Sequence, residues 1–110
     1  MADERELMSN EIKLSDGRIV AMRESTGADD IAVARMLGDK VSLQGAGQTI
    51  LMQANALKCI ESIDNQPAPI MNNYETFVNL ARQFKTKDMN KILLKYAEMN
   101  FEANPDNPLA

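Results

Sequence analysis

The spacing of apolar residues changes along this chain, and each change marks an element. From residue 10 to residue 24 the period is two. Ile12 and Leu14 alternate with Glu11, Lys13 and Ser15, the pattern of a half-buried strand. Asp16-Gly17 supplies a turn, because glycine tolerates positive φ, and Ile19 to Arg23 is the return strand. Two registers fit this hairpin. A two-residue turn pairs Leu14 with Ile19 and Ile12 with Ala21. A three-residue loop with a glycine bulge pairs Leu14 with Arg18 and Ile12 with Val20, which gathers Ile12, Leu14, Val20 and Met22 on one face; the larger apolar area favours this second register. A lone hairpin is marginal in water, so this one must pack on helices or join another chain's sheet, and both its strands are edges.

From Gly27 or Ala28 the period becomes helical. Ile31, Ala34 and Leu37 recur with Val33 and Met36 beside them. Thr26 is the expected N-cap, Asp29 stands three residues on as in a capping box, Asp29 and Asp30 suit the helix dipole, and Gly38 is the expected left-handed stop. After a loop over 39–47, a second helix is expected from Gln48 to Ile60. Its apolar residues, Ile50, Leu51, Met52, Ala54, Ala56, Leu57, Cys59 and Ile60, cover most of the circumference, as in a helix covered on several sides. Residues 60–63 also read as a brief strand. Asp64-Asn65-Gln66-Pro67 is a turn signal. A third helix spans Tyr74 to Phe84, capped by Asn72 or Asn73. A fourth starts at a Thr86 cap and carries the stripe Met89, Ile92, Leu93, Tyr96 and Met99. Their short connection predicts an antiparallel helical pair. The fold class is therefore α+β, mostly helical: an N-terminal hairpin followed by about four helices. Residues 1–9 read as a flexible arm, 10–101 as one domain and 102–110 as a flexible tail.

Composition narrows the functional class. The net charge is −4, without a basic run, which argues against a nucleic-acid binder. No apolar stretch approaches the roughly 18 residues of a membrane span, the charged N-terminus is unlike a signal peptide, and Cys59 is the single cysteine; a reducing cytoplasm is expected. Methionine is abundant, at eight residues against three Phe, two Tyr and no Trp. Thioether side chains adapt to irregular surfaces, which suits partner binding, although Met also simply replaces Leu in helical cores.

Reactive constellations are thin. Arg23, Asp29 and Asp30 have the residue types of an acid/base cluster, but adjacent aspartates in a first helical turn, beside an arginine at a strand end, are first of all a structural arrangement. Gly45-Ala46-Gly47 lacks the spacing of a phosphate-binding loop. With no histidine in the chain, a Cys–His nucleophile and a His-containing zinc site are both excluded. No cofactor and no catalytic residue is expected.

The stretch SDGRIVAMREST-GADDIAVARMLGD resembles the phage tail assembly chaperones of Mu-like and related contractile-tailed phages and prophages. The matching positions are Asp16, Gly17, Arg18, Val20, Arg23, Glu24, Thr26, Asp29 or Asp30, and Gly38. The later layout is similar too, with Asn65 where the family pattern leads to a glycine. The resemblance covers roughly residues 10 to 100. It implies a non-enzymatic protein of the bacterial cytoplasm that binds the tape measure protein while the tail tube polymerises and is absent from the finished virion. The tail tube protein, a longer frameshift form and further copies of the chain are the other partners it implies. On this reading Ile50, Leu51, Met52, Leu57 and Ile60 of the second helix contribute the binding surface. The competing expectation is a small adaptor subunit that stays in the assembled tail; an enzyme or ligand-binding domain built on the Arg23 cluster or the glycine loop is the remote one.

Overall fold

The computed structural model describes residues 6–38 and 46–101. Residues 1–5 of the expected arm, Gly45 with most of the loop over 39–47, and the expected tail at 102–110 lie outside the described residues. The elements in chain order are β1 (Glu11–Lys13), β2 (Ile19–Met22), α1 (Gly27–Leu37), α2 (Ala46–Lys58), β3 (Ile60–Ile63), β4 (Gln66–Pro67), α3 (Tyr74–Ala81) and α4 (Thr86–Asn100). The fold is α+β and mostly helical. No described helix is long and apolar enough to cross a membrane.

The hairpin takes the bulged register. Ile12 faces Val20, and the Leu14 amide donates to the Arg18 carbonyl at 2.8 Å. Gly17 bends the loop at φ 96°. Leu14, Val20 and Met22 are buried on the shared face and Ile12 packs against them. β3 is a strand and extends the hairpin, pairing antiparallel with β2. A register shift falls between Ala21 and Met22, where Met22 faces Ile60 and Ala21 faces Ser62. β4 completes a four-stranded sheet in the order β1-β2-β3-β4. The β3–β4 turn holds Asp64 at φ 52° and Asn65 at φ 66°. This is a two-residue turn with both central residues in the left-handed region, a conformation asparagine tolerates better than most side chains.

Neither edge of this sheet invites another strand. Along β1 the Glu11 amide donates to the Met8 carbonyl, and Lys91 Nζ lies 3.1 Å from the Lys13 carbonyl. β4 is two residues long and contains Pro67, and short strands, lysine and proline all blunt edges. The hairpin meets the fourth helix at its loop as well. Ser15 donates its amide to Asp88 Oδ1 and its hydroxyl to Oδ2, both at 2.8 Å. Arg18 sits 5.3 Å over the Phe84 ring and donates to the Gln83 carbonyl.

α2 is the central helix and packs on α1, α3 and α4, as its all-round apolarity requires. The expected antiparallel pairing of α3 with α4 is corrected by this: each leans on α2 more than on the other. α3 also ends at Ala81, three residues short of Phe84. The Gln83 and Phe84 amides reach back to the Leu80 and Ala81 carbonyls and tighten the connection. At the start of α4 the N-cap is Lys85, and Thr86 is the first helical residue. Asp88, in the first turn of α4, is 1% exposed. Gly38 has φ 51° but ψ −129°, a region beyond the left-handed helix that glycine alone reaches at little cost. Asn73, of the two asparagines considered, caps α3, with Thr76 returning the bond.

Candidate partner-binding groove

Residues 48, 51, 52 and 55 of α2 fall at spacings of three and four and so share one helix face. That face looks into an open groove of about 440 Å³ whose other walls are Asp30 of α1, Tyr96 of α4 and Phe101 just beyond α4. Its apolar surface is Leu51, Met52 and the two rings. Gln48, Asn55 and Asp30 are its polar residues, and among the described residues the lining holds one carboxylate and no cation. The rings meet edge to face, with centroids 5.6 Å apart and planes at 86°. Asn100 fixes this end of α4 by donating to the Tyr96 carbonyl and accepting from the Ser25 amide. Burial pushes the Tyr96 hydroxyl above its ordinary range.

The five residues singled out on the second helix separate into two groups. Leu51 and Met52 line the groove, and Met52 is 44% exposed. Ile50 is half-buried and packs against the core. Leu57 and Ile60 are buried at 2% and 5%, which removes them from any open surface. Leu57 lies about 240° round the helix from Leu51. Ile60 is not helical: α2 ends at Lys58, and Ile60 turns inward as the first residue of β3 opposite Met22. Sequence reasoning missed Asp30, Gln48, Asn55, Tyr96 and Phe101 as groove residues. Gln48 and Asn55 stood one turn either side of Leu51 and Met52 and were legible from spacing. Phe101 was not, since its placement depends on the chain leaving α4 at φ −122°.

Arg23, Glu24, Thr26 and Asp29 build the elbow between β2 and α1. Arg23 grips Asp29 through two bonds of 2.6 and 3.0 Å and donates to the Glu24 and Lys58 carbonyls. Thr26 and Asp29 form a reciprocal capping box. The Arg23 guanidinium, with further help from the Thr26 donors, holds the Asp29 carboxyl down to about 2. A carboxylate so fully engaged is a poor general base, so the elbow reads as architecture. Asp16 accepts from the Arg18 amide, which lowers its carboxyl pKa, and from Arg18 Nε at 2.8 Å. Cys59 is buried, and burial raises its thiol pKa, which leaves it an unreactive part of the core. Of the glycine loop, Gly45 lies outside the described residues, and Ala46 and Gly47 open α2.

Comparisons with family models, characterised proteins and solved structures find no match to this chain.

Proposed function

We propose that this chain is a phage tail assembly chaperone, a non-enzymatic holdase that binds the tape measure protein and keeps it soluble while the tail tube assembles. The observation that carries the reading is the open groove between α1, α2 and α4. It is long enough along α2 to take two turns of an amphipathic helix, and its floor combines a methionine, a leucine and two rings. Helix-in-groove binding uses such surfaces, with the apolar stripe of the guest supplying the anchors. Methionine lets one groove accept several stripes, which suits a long helical client with no single recognition site. The resemblance over residues 16–38 supports the same role. Of those residues, Arg23 bonds Asp29 at the start of α1 and the Lys58 carbonyl at the end of α2.

The test is co-expression of the full chain with the tape measure protein encoded beside it, followed by pull-down and light scattering. A soluble complex, with the tape measure protein insoluble alone and Met52→Asp folded but unable to hold it, is the expected result. If no complex forms, or if Met52→Asp and Leu51→Asp hold the client as well as the parent, the reading fails. Recovery of the chain in purified tails would instead favour an adaptor that remains in the assembled structure.

A further inference from the structure

Among the described residues, α4 carries a second open face, bordered by β1, on the side turned away from the groove. Leu94 stands at its centre and is 71% exposed, while Tyr96, two residues on, points about 200° round the helix into the molecule. Lys87, Lys91 and Glu98 share the Leu94 face at spacings of four, three and four, and all are exposed. Leu7, from the segment before β1, lines the same shallow depression as Leu94 and adds apolar surface beside it. A large aliphatic side chain this exposed, flanked along its helix by a cation and an anion, has the form of an interface centre with a charged rim.

We infer that this face docks on the same face of a second copy of the chain, with the two α4 helices antiparallel about a twofold axis beside Leu94. The charges set that arrangement. Lys91 and Glu98 are seven residues apart, about 10.5 Å along the helix, and Leu94 lies next to their midpoint. Turning a second α4 through the twofold axis at that midpoint brings Leu94 against Leu94. It also sets each Lys91 opposite the other copy's Glu98. A parallel arrangement would oppose Lys91 to Lys91 and Glu98 to Glu98. The face is thus complementary to itself, the condition an isologous contact must meet. Both groups retain bonding capacity in the single chain. Lys91 Nζ donates to the Lys13 carbonyl at 3.1 Å, and an ammonium has three donors. Glu98 Oε1 accepts from the largely covered Lys95 at 2.6 Å, while the Glu98 side chain is itself 68% exposed and keeps lone pairs open. Since the sheet edges are closed, association through backbone pairing does not compete. The groove lies on the other side of α4 and stays open in the pair, so the contact stands whether or not the chaperone reading holds.

One helix face buries less than the ~1,600 Å² of a standard interface, so the dimer forms only as concentration rises. Sedimentation velocity on the full chain, from low micromolar to near-millimolar, tests it. The parent shifts from monomer to dimer, and Leu94→Asp stays monomeric with an unchanged far-ultraviolet dichroism spectrum. Lys91→Glu and Glu98→Lys each weaken the dimer at least ~tenfold, because every such interface repeats the like-charge contact twice. An equimolar mixture of these two variants restores association, since in the mixed pair both charge contacts are again attractive. Misfolding cannot produce that restoration. A parent that remains monomeric throughout, variants that dimerise as the parent does, or a mixture no better than its components would each overturn the inference.

Discussion

Arg23 and Asp88 show how single side chains hold distant parts of this chain together. Arg23 ties the end of β2 to the first turn of α1 and to the last carbonyl of α2. Its guanidinium is a third exposed, so solvent screens part of the interaction; Arg23→Ala is expected to lower unfolding free energy by about 1–2 kcal/mol. The Asp29 carboxyl is held down to about 2, against ~3.9 in an unfolded chain. Because the folded value is the lower one, the pair's contribution is complete above the unfolded pKa and is lost as pH falls through the folded one. Urea unfolding measured across the acid range should therefore show a steep limb in the parent and a flatter one in Arg23→Ala. Asp88 is a different case. Burial alone would raise its carboxyl pKa, but the Ser15 amide and hydroxyl, with Lys91 and Lys87 nearby, bring it below the ordinary value. Asp88→Ala leaves the Ser15 amide without its acceptor, whereas Asp88→Asn keeps one acceptor oxygen. Thermal unfolding should rank them parent, Asn, Ala in falling midpoint. The Thr26–Asp29 capping box was legible in sequence because its partners are three residues apart. The role of Asp88 was not, since Ser15 lies 73 positions earlier.

At the scale of elements, α2 decides the arrangement. An amphipathic stripe tells a helix which single side to bury, but α2 has apolar residues all round, so sequence showed that it is covered without showing by what. The short connection predicts α3 and α4 as partners, yet each packs more on α2 than on the other. The same ambiguity put Leu57 and Ile60 on the binding face. Leu57→Ala is expected to cost about 2–5 kcal/mol through the cavity it leaves, whereas Met52→Ala should stay within about 0.5 kcal/mol; denaturant unfolding of the two variants measures both. The β3–β4 turn is a second case in which an element rests on one residue type. Asn65→Ala keeps a β-carbon in the left-handed region at φ 66° but removes the short polar side chain that eases it, which costs up to about 1 kcal/mol, and Asn65→Gly, with no β-carbon, should recover it in the same assay.

Across the whole molecule, local pattern was enough to give the class, the hairpin and its register, because turn chemistry and alternation act within a dozen residues. The sheet was only half legible. β3 was a bare alternative to the end of a helix, and its place beside β2 follows from pairing across two intervening helices, which no short window records. That long-range pairing has a consequence for synthesis. Ser15 waits for Asp88, and the Ser25 amide waits 75 residues for Asn100. At the usual 5–20 residues per second, that is roughly 4–15 s during which the hairpin of the growing chain lacks its closing partners. Val20 and Met22 on the hairpin, hidden in the finished molecule, lack that cover through most of this interval, and Leu57 on α2 through its later part. A protein proposed to shield another chain's exposed apolar surface thus passes through a stage in which its own is uncovered, and its yield on expression depends on how quickly translation delivers α4.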